Sequence, residues 1–131
     1  MSDTMSIQTV KPCPCGGEAL ETCCGPFISG AALPQTPEQL MRSRYTAYAL
    51  GDEPYLRATW DSASCPAEEL IDSSIKWVGL EVRVAQEEGN DGTVEFIARA
   101  KVGGRARRLH ETSRFIRRDG RWFYVDGDFK A

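Results

Sequence analysis

Long apolar runs are absent from this 131-residue sequence. A membrane-spanning helix needs about 20 consecutive, mostly apolar residues, so the sequence predicts a protein without a membrane span. Residues 1–12 also lack the apolar run that a secretory signal peptide needs. We therefore expect a cytoplasmic protein, in a reducing compartment that disfavours disulfides.

An excess of positive charge is lacking as well. The chain carries 16 Lys and Arg residues against 19 Asp and Glu residues, a formal net charge of −3. Nucleic acid binding depends on cations that neutralise phosphates, so this balance argues against a nucleic acid partner. Basic residues do crowd positions 99–121, where only Glu111 and Asp119 are acidic. An anionic partner or the solvated face of a sheet would explain this crowding, and we favour the solvated face.

Histidine is almost absent, since His110 is the only one in the chain. The strand pattern described below places His110 on the outer face of a sheet, together with Arg108 and Arg114. We therefore do not expect it to act as a catalytic base.

Cysteine, in contrast, is concentrated in one short segment. Residues 13–15 read Cys-Pro-Cys and residues 23–25 read Cys-Cys-Gly, with a Gly-Gly turn at 16–17. Two close thiol pairs can complete a tetrahedral zinc site, and a closed set of four thiolates leaves no position for water or substrate. We expect a structural zinc ion, with disulfides or free thiols as the alternatives. The four expected ligands are Cys13, Cys15, Cys23 and Cys24.

The fifth cysteine, Cys65, lies far along the chain beside Pro66. We expect it to be a small buried apolar residue rather than a fifth ligand or a nucleophile.

Helix signals follow the cysteines, after a connection at 25–36 that is rich in Gly, Pro and small residues. Thr36 is expected to cap a helix that starts at Pro37 and stops at Gly51. Two further short helices are predicted, over about 52–59 and about 66–72. The first helix carries five residues on one face, which places an arginine among core residues: Leu40, Met41, Arg44, Tyr45 and Tyr48.

From Ile75 onward the pattern changes to strict alternation, which predicts four strands in an antiparallel meander. A Gly-Gly turn at 103–104 would pair Ala98 with Leu109 and Phe96 with Glu111, and an Asp-Gly turn at 119–120 would pair Phe115 with Tyr124 and Ser113 with Asp126. The first hairpin is expected to use an odd-length loop at 89–91 with a bulge. One sheet face would then carry a mixed set of residues: Val78, Leu80, Val82, Val84, Phe96, Ala98, Leu109, Glu111, Ser113, Phe115, Trp122, Tyr124 and Asp126.

Two sets of residues resemble known families. The Cys-Pro-Cys-Gly run at 13–16 and the Cys-Cys-Gly run at 23–25 resemble the SEC-C zinc motif, a small metal module at the C-terminus of the SecA translocation ATPase. Motifs over nearly the whole chain look like the bacterial YchJ-like family: the run 40–48, Thr59-Trp60, Glu111-x-Ser113-x-Phe115 and Trp122-x-Tyr124-x-Asp126-Gly127.

This resemblance implies an α+β fold of the nuclear transport factor 2-like kind, a curved antiparallel sheet wrapped around about three helices. It also implies two units, a SEC-C-like zinc-binding module over 1–30 and a nuclear transport factor 2-like domain over 31–131. Folds of this kind host dehydratases, isomerases, hydrolases and binding modules, so the fold alone does not choose the function.

Two functions fit the sequence. We favour the first, a zinc-stabilised interaction or adaptor module with a protein partner, since the expected metal site is closed and the SEC-C motif of the SecA translocase serves partner binding. The alternative is a small-molecule binder or enzyme that uses the cone between helices and sheet. The expected cone residues are Arg44, Tyr45, Trp60, Glu111, Ser113, Tyr124 and Asp126.

Arg44 carries the sharpest structural expectation. A guanidinium on the buried helix face needs a carboxylate, so we expect Arg44 to form an ion pair with Glu111 or Asp126. We also expect a monomer, because the basic residues on the outer sheet face would repel their copies across a symmetric interface.

Overall fold

Alternating apolar and polar residues in the second half of the chain form one four-stranded antiparallel sheet. The computed structural model describes residues 11–130. The strands lie in sequence order and comprise β1 (Ile75–Glu88), β2 (Asp91–Val102), β3 (Arg105–Arg118) and β4 (Arg121–Lys130). The predicted meander is confirmed, and so are the pairs Phe96–Glu111, Ala98–Leu109 and Phe115–Tyr124.

The register of β4 departs from the prediction beyond Tyr124. Phe115 pairs with Tyr124, but Arg114 already pairs with Asp126, so Val125 is an extra residue in a β-bulge. Ser113 therefore faces Gly127, and the expected pair between Ser113 and Asp126 is wrong. Because side chains alternate between the two faces of a sheet, this single insertion moves Asp126 off the inner face.

The first hairpin is tighter than predicted. Glu88 pairs with Asp91, which leaves a two-residue turn at 89–90 instead of an odd-length loop. Two shifts in the β1–β2 register, at positions 78 and 83 of β1, determine which β1 side chains face the core. Val78 and Val84 are consequently exposed, whereas Trp77 packs against the core in place of Val78.

Three short or medium helices precede the sheet: α1 (Gly25–Ser29), α2 (Pro37–Leu50) and α3 (Glu53–Ala58). The predicted start of α2 is confirmed, since the Thr36 hydroxyl accepts a hydrogen bond from the backbone N–H of Gln39 at 3.1 Å. Its predicted end is confirmed too, because Gly51 adopts the left-handed conformation with φ of 79°. Neither α2 nor any other helix within residues 11–130 has the length and apolar character to span a membrane.

The helix predicted over 66–72 does not form, and this segment is irregular. Arg57 provides the physical reason, because its guanidinium donates to the carbonyl oxygens of Pro66 at 2.9 Å and Glu68 at 2.7 Å. These carbonyls are held by a side chain rather than by a helical turn. A helix forms instead at α1, in the segment expected to be a connection.

The core lies between α2 and the inner face of the sheet. Leu40, Met41 and Tyr45 of α2 are buried against Phe96 and Phe115 of the sheet. The buried cysteines belong to the same cluster, so the N-terminal segment packs on the α2 side of this core.

The segment after α3 runs along the free edge of β4. Thr59 accepts a hydrogen bond from the backbone N–H of Tyr124 at 2.8 Å, and the backbone N–H of Asp61 donates to the carbonyl of Tyr124 at 2.7 Å. Trp60 thereby forms a short bridge with Tyr124, and its ring centre lies 4.9 Å from the guanidinium carbon of Arg44 of α2. Residues 59–61 thus close one side of the space under the sheet.

Candidate functional site

The four clustered cysteines converge on one point. Their sulfur atoms all lie within 4.8 Å of one another, and the Cys15–Cys23 and Cys23–Cys24 sulfur pairs are 3.6 Å and 4.0 Å apart. Zn–S bonds of about 2.3 Å in a tetrahedron place sulfurs about 3.8 Å apart, so shifts of about 1 Å or less would bring the cluster to the spacing of such a site. Cys65 lies outside this cluster.

Tight backbone turns bring the two thiol pairs together. The backbone N–H of Gly16 donates to the carbonyl of Cys13 at 3.0 Å, and Gly16 takes a left-handed φ of 103°. A Cβ atom at Gly17 would lie 2.6 Å from the sulfur of Cys23, which is closer than real Cβ contacts allow. Glycine at position 17 therefore leaves the room that the Cys23 sulfur needs to join the cluster.

The thiols influence one another strongly. A hydrogen bond from Cys24 lowers the pKa of Cys15 to about 4, while burial and the hydrogen bond to Cys15 raise the pKa of Cys23 to about 11. One thiolate is thus favoured at the expense of its neighbours, as expected when like charges crowd a buried site. Four thiolates together require a bound cation, and the cluster can hold a metal ion.

The cluster is also tied to the helix that carries the core. Arg42 of α2 donates to the carbonyl oxygen of Cys15 at 3.0 Å and forms an ion pair with Glu38 at 2.9 Å. The Cys13 sulfur lies 3.6 Å from the hydroxyl of Thr46, which is fully buried. A bound metal ion would therefore fix the position of α2 as well as the N-terminal segment.

A second candidate site is the cavity between α2 and the inner face of the sheet, which we call the cone cavity. Its volume is about 260 Å³. Most of its walls are aromatic, and three residues bring a charge or an aliphatic hydroxyl: Arg44, Glu111 and Ser113. The full lining is Met41, Arg44, Tyr45, Tyr48, Trp60, Trp77, Phe96, Ala98, Leu109, Glu111, Ser113, Phe115, Tyr124 and Phe129.

Arg44 is buried at the cavity wall, as helical periodicity predicts, but the expected ion pair is wrong. Its Nη1 donates to the carbonyl of Leu56 at 2.8 Å and to the hydroxyl of Thr59 at 2.7 Å. Its guanidinium carbon lies 4.9 Å from the ring centre of Trp60 and 4.6 Å from that of Tyr124. Within the described residues, no ion pair joins it to a carboxylate, so aromatic rings replace the expected partner. Burial lowers the pKa of Arg44.

Glu111 is the carboxylate of the cavity. Its Oε2 accepts hydrogen bonds from the hydroxyls of Ser113 and Tyr124, each at 2.8 Å. A Cβ atom at Gly127 would lie 2.0 Å from the same oxygen, so the side chain occupies space that only glycine leaves free. Burial and the neighbouring carboxylate raise the pKa of Tyr124, which keeps its hydroxyl a donor.

Asp126 and His110 lie away from the cavity, on the outer face of the sheet. Asp126 accepts from Arg114 at 2.6 Å, and Arg114 also binds Asp128 at 2.7 Å. His110 lies 2.7 Å from a carboxylate oxygen of Glu95. The expected inward position of Asp126 is therefore wrong, whereas the outward position of His110 agrees with the prediction.

Several cavity residues were not singled out from the sequence as cone residues. Tyr48 and Trp77 form part of the wall, and their ring centres are 6.2 Å apart. Gly127 leaves the room that the Glu111 carboxylate occupies. A glycine inside an alternating strand signals a bulge or a close approach, and this signal could have identified Gly127.

The fold and the cysteine cluster together define a class: a nuclear transport factor 2-like α+β domain with a SEC-C-type cluster at its N-terminal side. The sequence model described as "YchJ, middle NTF2-like domain" matches residues 36–127. The chain belongs to this YchJ-like family, as the sequence motifs predicted.

Sequence relatives agree with this assignment. A UPF0225 protein of Cupriavidus metallidurans is 54% identical over 126 residues, covering 91% of this chain and 89% of that protein. A UPF0225 protein of Chromobacterium violaceum is 52% identical over 127 residues, covering 92% of this chain and 94% of that protein.

Solved structures show the same fold. The solution structure of a SEC-C motif containing protein from Rhodopseudomonas palustris has a TM-score of 0.81 and 37% identity, covering 92% of this chain and 100% of that chain. The crystal structure of a SEC-C motif containing protein from Psychrobacter arcticus has a TM-score of 0.73, with 94% and 84% coverage. At 24% identity, the second likeness concerns the fold alone.

Proposed function

We propose that this protein is a zinc-stabilised small-molecule-binding protein whose ligand occupies the cone cavity. The observation that carries the proposal is a cavity of about 260 Å³ with a buried arginine at its wall that forms no ion pair within residues 11–130. Of the two functions that fit the sequence, the small-molecule function needs an open cone, and a solid core would have excluded it.

The cavity has the character of a ligand site. Such sites are concave, mostly apolar, and contain a few polar groups that orient the ligand. Here the rings of Tyr45, Trp77, Phe96 and Phe115 supply apolar walls, and a carboxylate at Glu111 supplies a polar group. Conversion of the bound molecule by Glu111 and Tyr124 as a proton-transfer pair would be an extension of this binding function.

Zinc has a structural part in this proposal. The ion would be held by Cys13, Cys15, Cys23 and Cys24. A closed set of four thiolates stabilises the fold by cross-linking the chain and leaves no open coordination position for a substrate. Because these cysteines pack on α2, the ion would support the helix that contributes Arg44 and Tyr45 to the cavity.

The binding function is tested by NMR titration of the protein with small aromatic probes. Trp60 and Trp77 line the cavity, whereas the indole N–H of Trp122 donates to the carbonyl of Gln35 outside it. We expect the indole signals of Trp60 and Trp77 to shift and that of Trp122 to stay. The Ala98→Phe variant should abolish these shifts by filling the cavity, and Ala85→Phe, at an exposed position of β1, is the matched control. The proposal would be overturned if every aromatic probe left the indole signals of all three tryptophans unchanged.

A protein-docking role is the second candidate, and a groove beside the cysteine module favours it. The groove has a volume of about 310 Å³ and includes Phe27, Ile28 and Leu33 in its lining, of which Leu33 is 44% exposed. A photo-crosslinking residue at position 33 should capture a discrete protein adduct in living bacteria, and Ile28→Glu should remove that adduct. No adduct, or one that survives Ile28→Glu, would leave the groove without a docking role.

A further inference from the structure

We infer that the ligand of the cone cavity is a net-neutral molecule of about two fused rings that carries one hydrogen-bond acceptor and one hydrogen-bond donor. The acceptor would meet Arg44 and the donor would meet Glu111. This inference rests on the proposed small-molecule function and specifies the chemistry of its ligand.

The size follows from the volume of the cavity. An apolar protein cavity of about 150 Å³ accommodates benzene. The cone cavity, at about 260 Å³, has room for a bicyclic ring system with small substituents. Its aromatic walls favour a flat apolar body, because edge-to-face and offset stacking stabilise ring pairs beyond the area that they bury.

The acceptor follows from the unused donors of Arg44. Its Nη1 is occupied by Leu56 and Thr59, while Nε and Nη2 have no hydrogen-bond partner in residues 11–130. In that part of the chain the only fully buried side-chain nitrogen or oxygen without a partner is Nε1 of Trp60. Nε and Nη2 therefore reach open space, and the cavity that Arg44 lines provides it.

The donor follows from Glu111 by the same reasoning. Its Oε2 accepts from Ser113 and Tyr124, whereas Oε1 has no partner in the described part of the chain. Oε1 is also absent from the fully buried atoms without a partner, so it too reaches open space at the cavity. A carboxylate oxygen only accepts hydrogen bonds, so the group that meets it must be an N–H or O–H.

The net charge of the ligand follows from the balance of the two groups. One guanidinium and one carboxylate line the same cavity without forming an ion pair with each other. A ligand with a net charge would leave an uncompensated charge in a buried site, which is strongly unfavourable. A neutral molecule that bridges the two groups satisfies both without this penalty.

Four bicyclic probes of similar size test the inference in the NMR titration. Quinolin-2(1H)-one is neutral and carries adjacent C=O and N–H groups; naphthalene has neither group; naphthalene-2-carboxylate is anionic and naphthalen-2-ylmethylammonium is cationic. We expect quinolin-2(1H)-one to bind about tenfold more tightly than naphthalene, since each net hydrogen bond adds a few-fold, and both charged probes to bind more weakly than the lactam.

Two matched variants locate the donor contact. Glu111→Gln should weaken binding of quinolin-2(1H)-one about fivefold, because hydrogen bonds to a charged acceptor are about twice as strong as neutral ones. Naphthalene has no donor for Glu111, so its affinity should change less than that of quinolin-2(1H)-one. Glu95→Gln is the control, since Glu95 belongs to the neighbouring strand and binds His110 on the outer face.

The outcomes separate this inference from the function on which it rests. Equal affinities for the lactam and naphthalene, with shifts at Trp60 and Trp77, would overturn the ligand class and leave the binding function standing. Tightest binding of the carboxylate would also overturn it, and would make the cavity an anion site of Arg44. Unchanged indole signals with all four probes would remove the proposed function itself. The ranking of the four probe affinities on the wild-type protein tests the inference even if the Glu111→Gln variant fails to fold.

Discussion

Two regions of the protein, the cysteine module (residues 13–24) and the cone domain (residues 37–130), are expected to be stabilised by different interactions. Residues 13–24 contain few large apolar side chains, and their compactness depends on four sulfur atoms that meet within 4.8 Å. The cone domain buries leucine, phenylalanine and tryptophan side chains between α2 and the sheet. We expect the stability of the cysteine segment to depend mainly on a bound cation and that of the cone domain on the apolar surface that it buries.

The contrast extends to how each region treats charge. Thiolates can accumulate among the clustered cysteines only with a cation between them. Arg44, in contrast, is buried under two aromatic rings and forms no ion pair within residues 11–130. Buried charge in this protein would therefore be stabilised by a metal ion among the four cysteines, and it is stabilised by aromatic rings and neutral acceptors around Arg44. Four changes to the protein should affect the two regions differently.

Removal of the metal should have the largest effect. We expect one zinc ion per chain, loss of that ion in Cys23→Ser, and unfolding of residues 11–30 on chelation while the sheet persists, because structural zinc contributes about 10–16 kcal/mol in small zinc-binding peptides. Metal analysis and hydrogen exchange provide the measurements. Cys65→Ser should keep the full stoichiometry. Loss of the sheet signal in circular dichroism on chelation would show that the two regions are one cooperative unit.

Arg44→Ala should be the most destabilising single change in the cone. It removes two cation–π contacts, leaves the Thr59 hydroxyl without the donor that it accepts from, and leaves the Leu56 carbonyl with only the 3.3 Å hydrogen bond from Thr59. We expect a cost of about 3 kcal/mol in the free energy of unfolding. Urea denaturation with an unchanged m-value measures it. Arg44→Lys should recover part of the loss, since an ammonium lacks the planar fork. A loss below about 1 kcal/mol would contradict the role assigned to the rings.

Gly127→Ala should cost about 1–3 kcal/mol, because a methyl group there overlaps the Glu111 carboxylate. The same change in a Glu111→Ala background should cost little, and this double-mutant cycle isolates the contact. Gly79→Ala is the matched control, since its Cβ would meet no atom within 4 Å. Equal costs in both backgrounds would place the strain elsewhere in β4.

Arg114→Gln on the outer face should have the smallest effect of the four. Arg114 binds Asp126 and Asp128 in solvent, where ion pairs are screened and contribute little. Arg114 lowers the pKa of Asp128, so the contribution exists at neutral pH and disappears as the pH falls through that depressed pKa. Urea midpoints at low and high salt test this, and a loss as large as that of Arg44→Ala would contradict it.

Local rules predicted the parts of the fold that depend on neighbouring residues. Sequence pattern alone located α2 and the β2–β3 register, because the signals are local. Thr36 and Gly51 lie at the ends of α2, and the turn at 103–104 directly joins β2 to β3. The cysteine cluster was found in the same way, because its four ligands lie close together in the sequence.

The predictions that were wrong depend on a bulge and on contacts between residues distant in the sequence. The alternation of apolar and polar residues in β4 carries no signal for the bulge at Val125, and this bulge turns Asp126 to the outer face of the sheet. Arg57 reaches the carbonyls of a segment about ten positions away and prevents a helix there. Arg44 meets aromatic rings instead of a carboxylate, because the bridge between Trp60 and Tyr124 brings both rings beside it.

That bridge also protects the rim of the sheet. A free strand edge offers unpaired N–H and C=O groups to any other strand and invites aggregation. Here the backbone of Tyr124 is already paired with Thr59 and Asp61, and the Ser64 hydroxyl binds the carbonyl of Val125 at 2.7 Å. The segment that places a ring on Arg44 thereby also occupies the edge of β4 at Tyr124 and Val125, where a second strand would otherwise have to pair.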